Sequence, residues 1–148
     1  MCPVMKPSLY VIPFLAVVLS APACGNTTGE PTPFEVCTRT IPPLTDQPLT
    51  RSTFQAADDD LSAMIDLAEA GDVTGAQVAF FEPHNLTHNV DGPLRQVDEA
   101  LAIRLCNEVV IMESDLAGNR DPSVMAEQAR KIREILAAVA AALDVEPG

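Results

Sequence analysis

The sequence predicts an all-α protein, an up-down-up-down four-helix bundle preceded by an extended Pro/Thr-rich strap. Three observations carry this. Residues 52–144 repeat apolar side chains at i, i+3, i+4 and i+7, the spacing that gathers them on one side of an α-helix. Their composition is Ala, Leu, Asp and Glu, with few β-branched clusters. The breaks between periodic runs are short, and short connections make neighbouring helices antiparallel.

The first helix is expected over about 53–70, with Phe54, Ala57, Leu61, Met64, Ile65 and Ala68 inward. Ser52 or Thr53 can cap it, and Asp58–Asp60 lie toward its positive end. Gly71-Asp72 breaks the chain. A second helix over about 73–89 is led by Val73, Ala76, Phe80 and Leu86, with Pro83 expected to kink it, and Asp91-Gly92-Pro93 to end it. A third, about 93–116, carries the stripe Leu94, Val97, Leu101, Leu105, Val109, Met112 and Leu116. After a loop at Ala117–Arg120, Asp121-Pro122 gives a cap and a first-turn proline to a fourth helix, about 122–143. Its inward residues are Val124, Ile132, Ile135, Val139 and Leu143.

Ahead of the bundle, Pro31, Pro33, Pro42, Pro43 and Pro48 prevent helix between residues 25 and 50. Residues 25–33 read as a free tether. Residues 34–50, with Phe34, Val36, Ile41, Leu44 and Leu49, read as a docked extended strap.

The first 23 residues read as an address. Lys6 precedes the apolar run Leu9–Leu19, and Ala21-Pro22-Ala23 then meets Cys24. A charged start, a short apolar centre and an A-x-A exit form a secretory signal, and the run is shorter than the ~20 residues of a membrane span. With Cys24 directly after the exit, the segment resembles the signal of bacterial lipoproteins, whose first mature residue bears lipid. That resemblance implies a lipid anchor on Cys24, a 24–51 linker and strap, and a place in the bacterial cell envelope on its periplasmic or extracellular face. Gly25 stands where an Asp would resemble an inner-membrane retention signal, which favours the outer membrane. An ordinary signal-peptidase cut at the same bond would instead release a soluble secreted protein.

Cys2 leaves with the signal. If Cys24 is lipidated, Cys37 and Cys106 remain as an even pair in an oxidising compartment. Cys106 lies about a third of a turn from the third helix's stripe, toward the rim, where a strap could reach it. Two unrelated thiols are the alternative.

The chain carries a formal net charge of −12. Loss of residues 1–23 removes one Lys and no acid, which argues against nucleic acid and anionic lipid as partners. The expected partners are the membrane through the N-terminal lipid and an envelope protein. Hydrolase and phosphate-loop motifs (G-x-S-x-G, H-E-x-x-H, glycine-rich loops) are absent from the sequence, and the reading is non-catalytic, with no cofactor.

One polar constellation offers an alternative. His84 and His88 stand four apart, one turn of a helix, as two ligands of one metal require. Asp98 on the third helix and Asp58 on the first flank the neighbouring stripes, so one end of the bundle could gather a mixed N/O set for Zn, Cu(II) or Fe. A b-type haem on His84 with Met64 or Met112 is a further variant, whereas the absence of C-x-x-C-H excludes covalent c-type haem. The competing structural reading is a capped, hydrogen-bonded helix end.

Glu108 falls inside an apolar stripe and needs a partner if buried. Gln77 and Gln128 stand at matching levels, which predicts a polar pin holding helix register. Arg130, Lys131 and Arg133 read as a solvated face pairing with Glu127 and Glu134.

Overall fold

The computed structural model describes residues 33–118 and 120–145. The signal segment 1–23, Cys24 and the linker through residue 32 lie outside the described residues. Within them the protein is all-helical, with no strand.

A short 3-10 helix, Glu35–Thr38, comes first, and five α-helices follow: α1 (Arg51–Glu69), α2 (Val73–Ala79), α3 (Phe81–Val97), α4 (Glu99–Ala117) and α5 (Pro122–Ala142). α1 packs chiefly on α5 and also touches α2 and α3. α4 packs between α3 and α5.

The ends of α1 follow from backbone accounting. Thr50 caps its start, with its hydroxyl facing the Thr53 N–H. At its end Gly71 adopts φ +80°, the left-handed region that glycine enters without a Cβ penalty. The Asp72 N–H then bonds the Leu67 carbonyl at 2.8 Å, and the Gly71 N–H bonds that of Ala68 at 2.9 Å. This Schellman closure satisfies carbonyls the helix would otherwise strand. Asp72 next accepts from the Gly75 N–H at 2.9 Å and starts α2.

α2 and α3 are one helical run interrupted at Phe80. Pro83 has no N–H to return to Ala79, so the ladder loses a bond there and regular helix stops three residues before the proline. Counted as one interrupted helix, this run gives four helical segments.

The second segment does not end at Asp91-Gly92-Pro93. α3 runs on through Asp91-Gly92-Pro93 to Val97, and the break falls at Asp98. There the backbone leaves helical geometry (φ −152°, ψ 87°), and the Asp98 carboxylate accepts from the Leu101 N–H at 2.9 Å to start α4. Val97 sits at this break and is exposed, rather than part of the inward stripe.

The core joins the six apolar positions expected on α1 to Ala76, Phe80, Leu86, Val90 and Leu94, with Leu105, Val109 and Met112 of α4. α5 contributes Met125, Ala129, Ile132, Ile135 and Val139. Val124 is exposed, and its neighbour Met125 takes the inward position.

Candidate functional site

Among the described residues, buried polar side chains concentrate on α3, where residues 37–45 meet it. Asp91 is 3% exposed, and its Oδ2 accepts from Arg95 Nε at 2.8 Å and from the Ile41 N–H at 2.8 Å. Arg95 donates onward to the Cys37 carbonyl at 2.8 Å. Asn89 Oδ1 accepts from the N–H groups of Leu44 and Thr45, both at 3.2 Å, and its Nδ2 donates to Thr45 Oγ1 at 2.6 Å. His88 Nδ1 lies 3.2 Å from the Pro42 carbonyl.

Side chains at 88, 91 and 95 form a row on one side of α3, because i, i+3 and i+4 positions neighbour one another, and Asn89 flanks that row about 100° round the helix. That row supplies the hydrogen bonds a proline-rich segment cannot make with itself. Among the described residues, every buried side-chain polar atom has a partner.

The row is closed covalently. Cys37 and Cys106 form a disulfide with Cα atoms 5.5 Å apart, and both residues are buried. The Phe34 N–H donates to Asn107 Oδ1 at 3.0 Å beside it.

The residues expected to gather a metal go to separate partners. Asp58 receives Arg133 in a two-pronged ion pair, Nε to Oδ1 at 2.7 Å and NH2 to Oδ2 at 2.9 Å, tying α1 to α5. That hydrogen-bonded carboxylate holds the Arg133 guanidinium above its ordinary pKa. Asp98 is consumed as the α4 cap. Because the hairpin turns at Asp98 itself, His84 cannot meet that carboxylate across it. His84 Nε2 instead faces Glu113 Oε1 at 2.8 Å on α4.

The two imidazoles do stack, with ring centroids 4.7 Å apart in a T-shaped arrangement, and Phe80 lies 6.0 Å beyond His84. Among the described residues, no group of three or more His, Cys, Asp or Glu side chains is placed to hold a metal ion.

Gln128 is buried and donates to the Glu108 carboxylate at 2.6 Å and to its main-chain carbonyl at 2.8 Å, linking α4 and α5. Gln77 is exposed on short α2 and takes no part, because α2 turns Ala76, one position earlier, toward the core. Arg130 reaches Glu69 of α1 as well as Glu127, so the basic residues of α5 clamp a neighbouring helix instead of only their own.

A cleft of about 360 Å³ opens between the 33–50 segment, α1 and α3, lined by Gln47, Thr53, Ala56, Ala57, Glu82 and Leu86. Thr53 Oγ1 is already donating to the Pro48 carbonyl at 2.8 Å. Glu82 is the only ionisable group in that lining.

The sequence signal for the α3 row was an Asp four residues before an Arg, a common helix-surface pair. Its partners stand 44–58 residues earlier in the chain, so their role shows only in three dimensions. No described helix is long and apolar enough to cross a membrane. Comparison with protein-family models, with curated proteins and with solved structures found no match to the chain.

Proposed function

We propose that the chain is an exported bacterial envelope lipoprotein, lipid-anchored at Cys24. In this reading residues 34–50 form a strap on an up-down-up-down bundle that serves as a non-catalytic binding or structural module. The observation that carries it is the Cys37–Cys106 bridge. Disulfides persist in oxidising compartments, and this one uses both cysteines downstream of the signal other than Cys24. Cysteine parity then leaves Cys24 for lipid.

Support for a non-catalytic module comes from how the charged groups are used. Asp58, Asp91 and Asp98 each hold a helix, a helix end or the strap in place. Partners then belong to the bundle's outer faces, and a protein of the envelope is the kind expected.

The test is expression of the full chain in a bacterial host, membrane fractionation and mass spectrometry of the N-terminal peptide. The expected product begins at a lipid-bearing Cys24, and Cys24→Ser moves the protein to the soluble fraction. A membrane-bound product that still begins at Met1, or an unmodified Cys24, overturns the anchor. Elemental analysis of the same preparation tests the module. Stoichiometric Zn, Cu or haem that vanishes in the His84→Ala, His88→Ala double variant would replace it with a ligand-carrying bundle.

A further inference from the structure

We infer that the 3-10 helix is a membrane-contact surface, with Phe34 and Val36 resting in the headgroup boundary of the bilayer that holds the lipid of Cys24. The inference rests on the lipoprotein reading and adds which face the bundle turns to the membrane.

Val78 and Phe81 are also exposed, but far along the chain from Cys24, whereas Phe34, 44% exposed, and Val36, 51% exposed, stand next to the tether. Neither is held loosely. The disulfide fixes Cys37 between them and the strap, Asn107 receives the Phe34 N–H, and Arg95 holds the Cys37 carbonyl. Two large apolar groups presented on a braced turn invite a partner.

Charge on the turn is self-cancelling, since Arg39 NH2 lies 3.1 Å from Glu35 Oε1. The patch therefore carries no net charge to repel a lipid surface, although the whole chain is strongly negative. An exposed aromatic ring with an exposed aliphatic side chain two residues on suits the boundary between headgroups and acyl chains.

Chain length selects the occupant. Ten residues separate Cys24 from Phe34, which at full extension span at most about 35 Å. Without the bridge, the α3 row and the Phe34–Asn107 bond, the first residue anchored to a helix would be Pro48, 24 residues from Cys24 and within about 85 Å. Stapling Cys37 to α4 thus makes this apolar pair, rather than the start of α1, the point where the tether from Cys24 meets the folded helices.

The chain contains no Trp, so Phe34→Trp introduces a single emitter. The experiment uses the full, lipidated chain in phosphatidylcholine vesicles, with and without brominated acyl chains. Mass spectrometry of the same sample verifies the lipid on Cys24. The Phe34→Trp emission is expected to shift to the blue and to be quenched at least twofold by brominated lipid. A Phe81→Trp control, on the exposed start of α3, is expected to stay unquenched. Lipidated, vesicle-bound protein whose Phe34→Trp emission is unshifted and unquenched overturns the inference and leaves the lipoprotein reading standing. Equal quenching at both positions also overturns it, since the membrane then selects no face. A chain without lipid on Cys24 overturns both.

Discussion

Replacing Gly71 by alanine would place a Cβ on a backbone held at φ +80°, where L-residues clash with the following carbonyl. The expected loss is about 1–2 kcal/mol in urea unfolding. The same change at Gly92 should cost less. Gly92 lies in α3, and apart from its chain neighbours a Cβ there meets nothing within 4 Å. Gly92→Ala removes backbone freedom from the unfolded chain, a gain of about 0.5–1 kcal/mol that the clash of a Cβ with the following Pro93 ring in helical backbone offsets, so its urea midpoint should stay closer to the parent's than that of Gly71→Ala. Asp121 adds a pH dependence. The Ser123 hydroxyl and N–H hold its carboxyl below its ordinary 3.8, so its cap on α5 is intact above that value. This contribution is lost as the pH falls through the lowered pKa, because the unfolded state then binds the proton more readily. Thermal melts across the acid range should show Asp121→Asn losing that part of the acid dependence and keeping its neutral-pH profile shape.

At the scale of elements, α3 is the decisive case. Asp91→Ala would orphan the Ile41 N–H and leave part-buried Arg95 with the Cys37 carbonyl and Glu99 alone, a loss of up to about 3–5 kcal/mol, the cost of removing one member of a buried ion pair. The expected signature is a large fall in unfolding free energy, with faster amide exchange at Ile41. The six inward residues of α1 could be read from spacing alone, because a one-sided apolar stripe admits one helical phase. α3 could not be read in the same way. Gly92 and Pro93 both disfavour helix, by about 1 and 3 kcal/mol in an ordinary interior, and local pattern therefore ends the helix there. What carries it onward is burial of Val90 and Leu94 together with the Asp91–Arg95 pair, whose remaining partners belong to a distant segment. Asp98 shows the same limit. Local pattern puts the turn at Asp91–Pro93 and leaves the Asp98 carboxylate free to ligate, whereas the fold turns at Asp98 and makes that carboxylate a cap. His84 and His88 do fall on one side of a helix as their spacing requires, but the acids assigned to them are spent elsewhere.

Across the whole molecule, the Cys37–Cys106 bridge closes a sequence separation of 69 residues, spanning α1, α2, α3 and half of α4. The chain-entropy account values such a closure at about 4 kcal/mol. A Cys37→Ser, Cys106→Ser variant should lose about that much stability by urea titration. Residues 33–50 should then exchange their amide protons ahead of the helices, since little apolar surface holds them. The α3 row has a further consequence, because it grips peptide groups more than side chains. Natural variants can therefore drift widely in side-chain identity at Ile41 and Leu44 without loosening the clasp, proline alone being barred, since it would delete the very hydrogen that Asp91 or Asn89 receives.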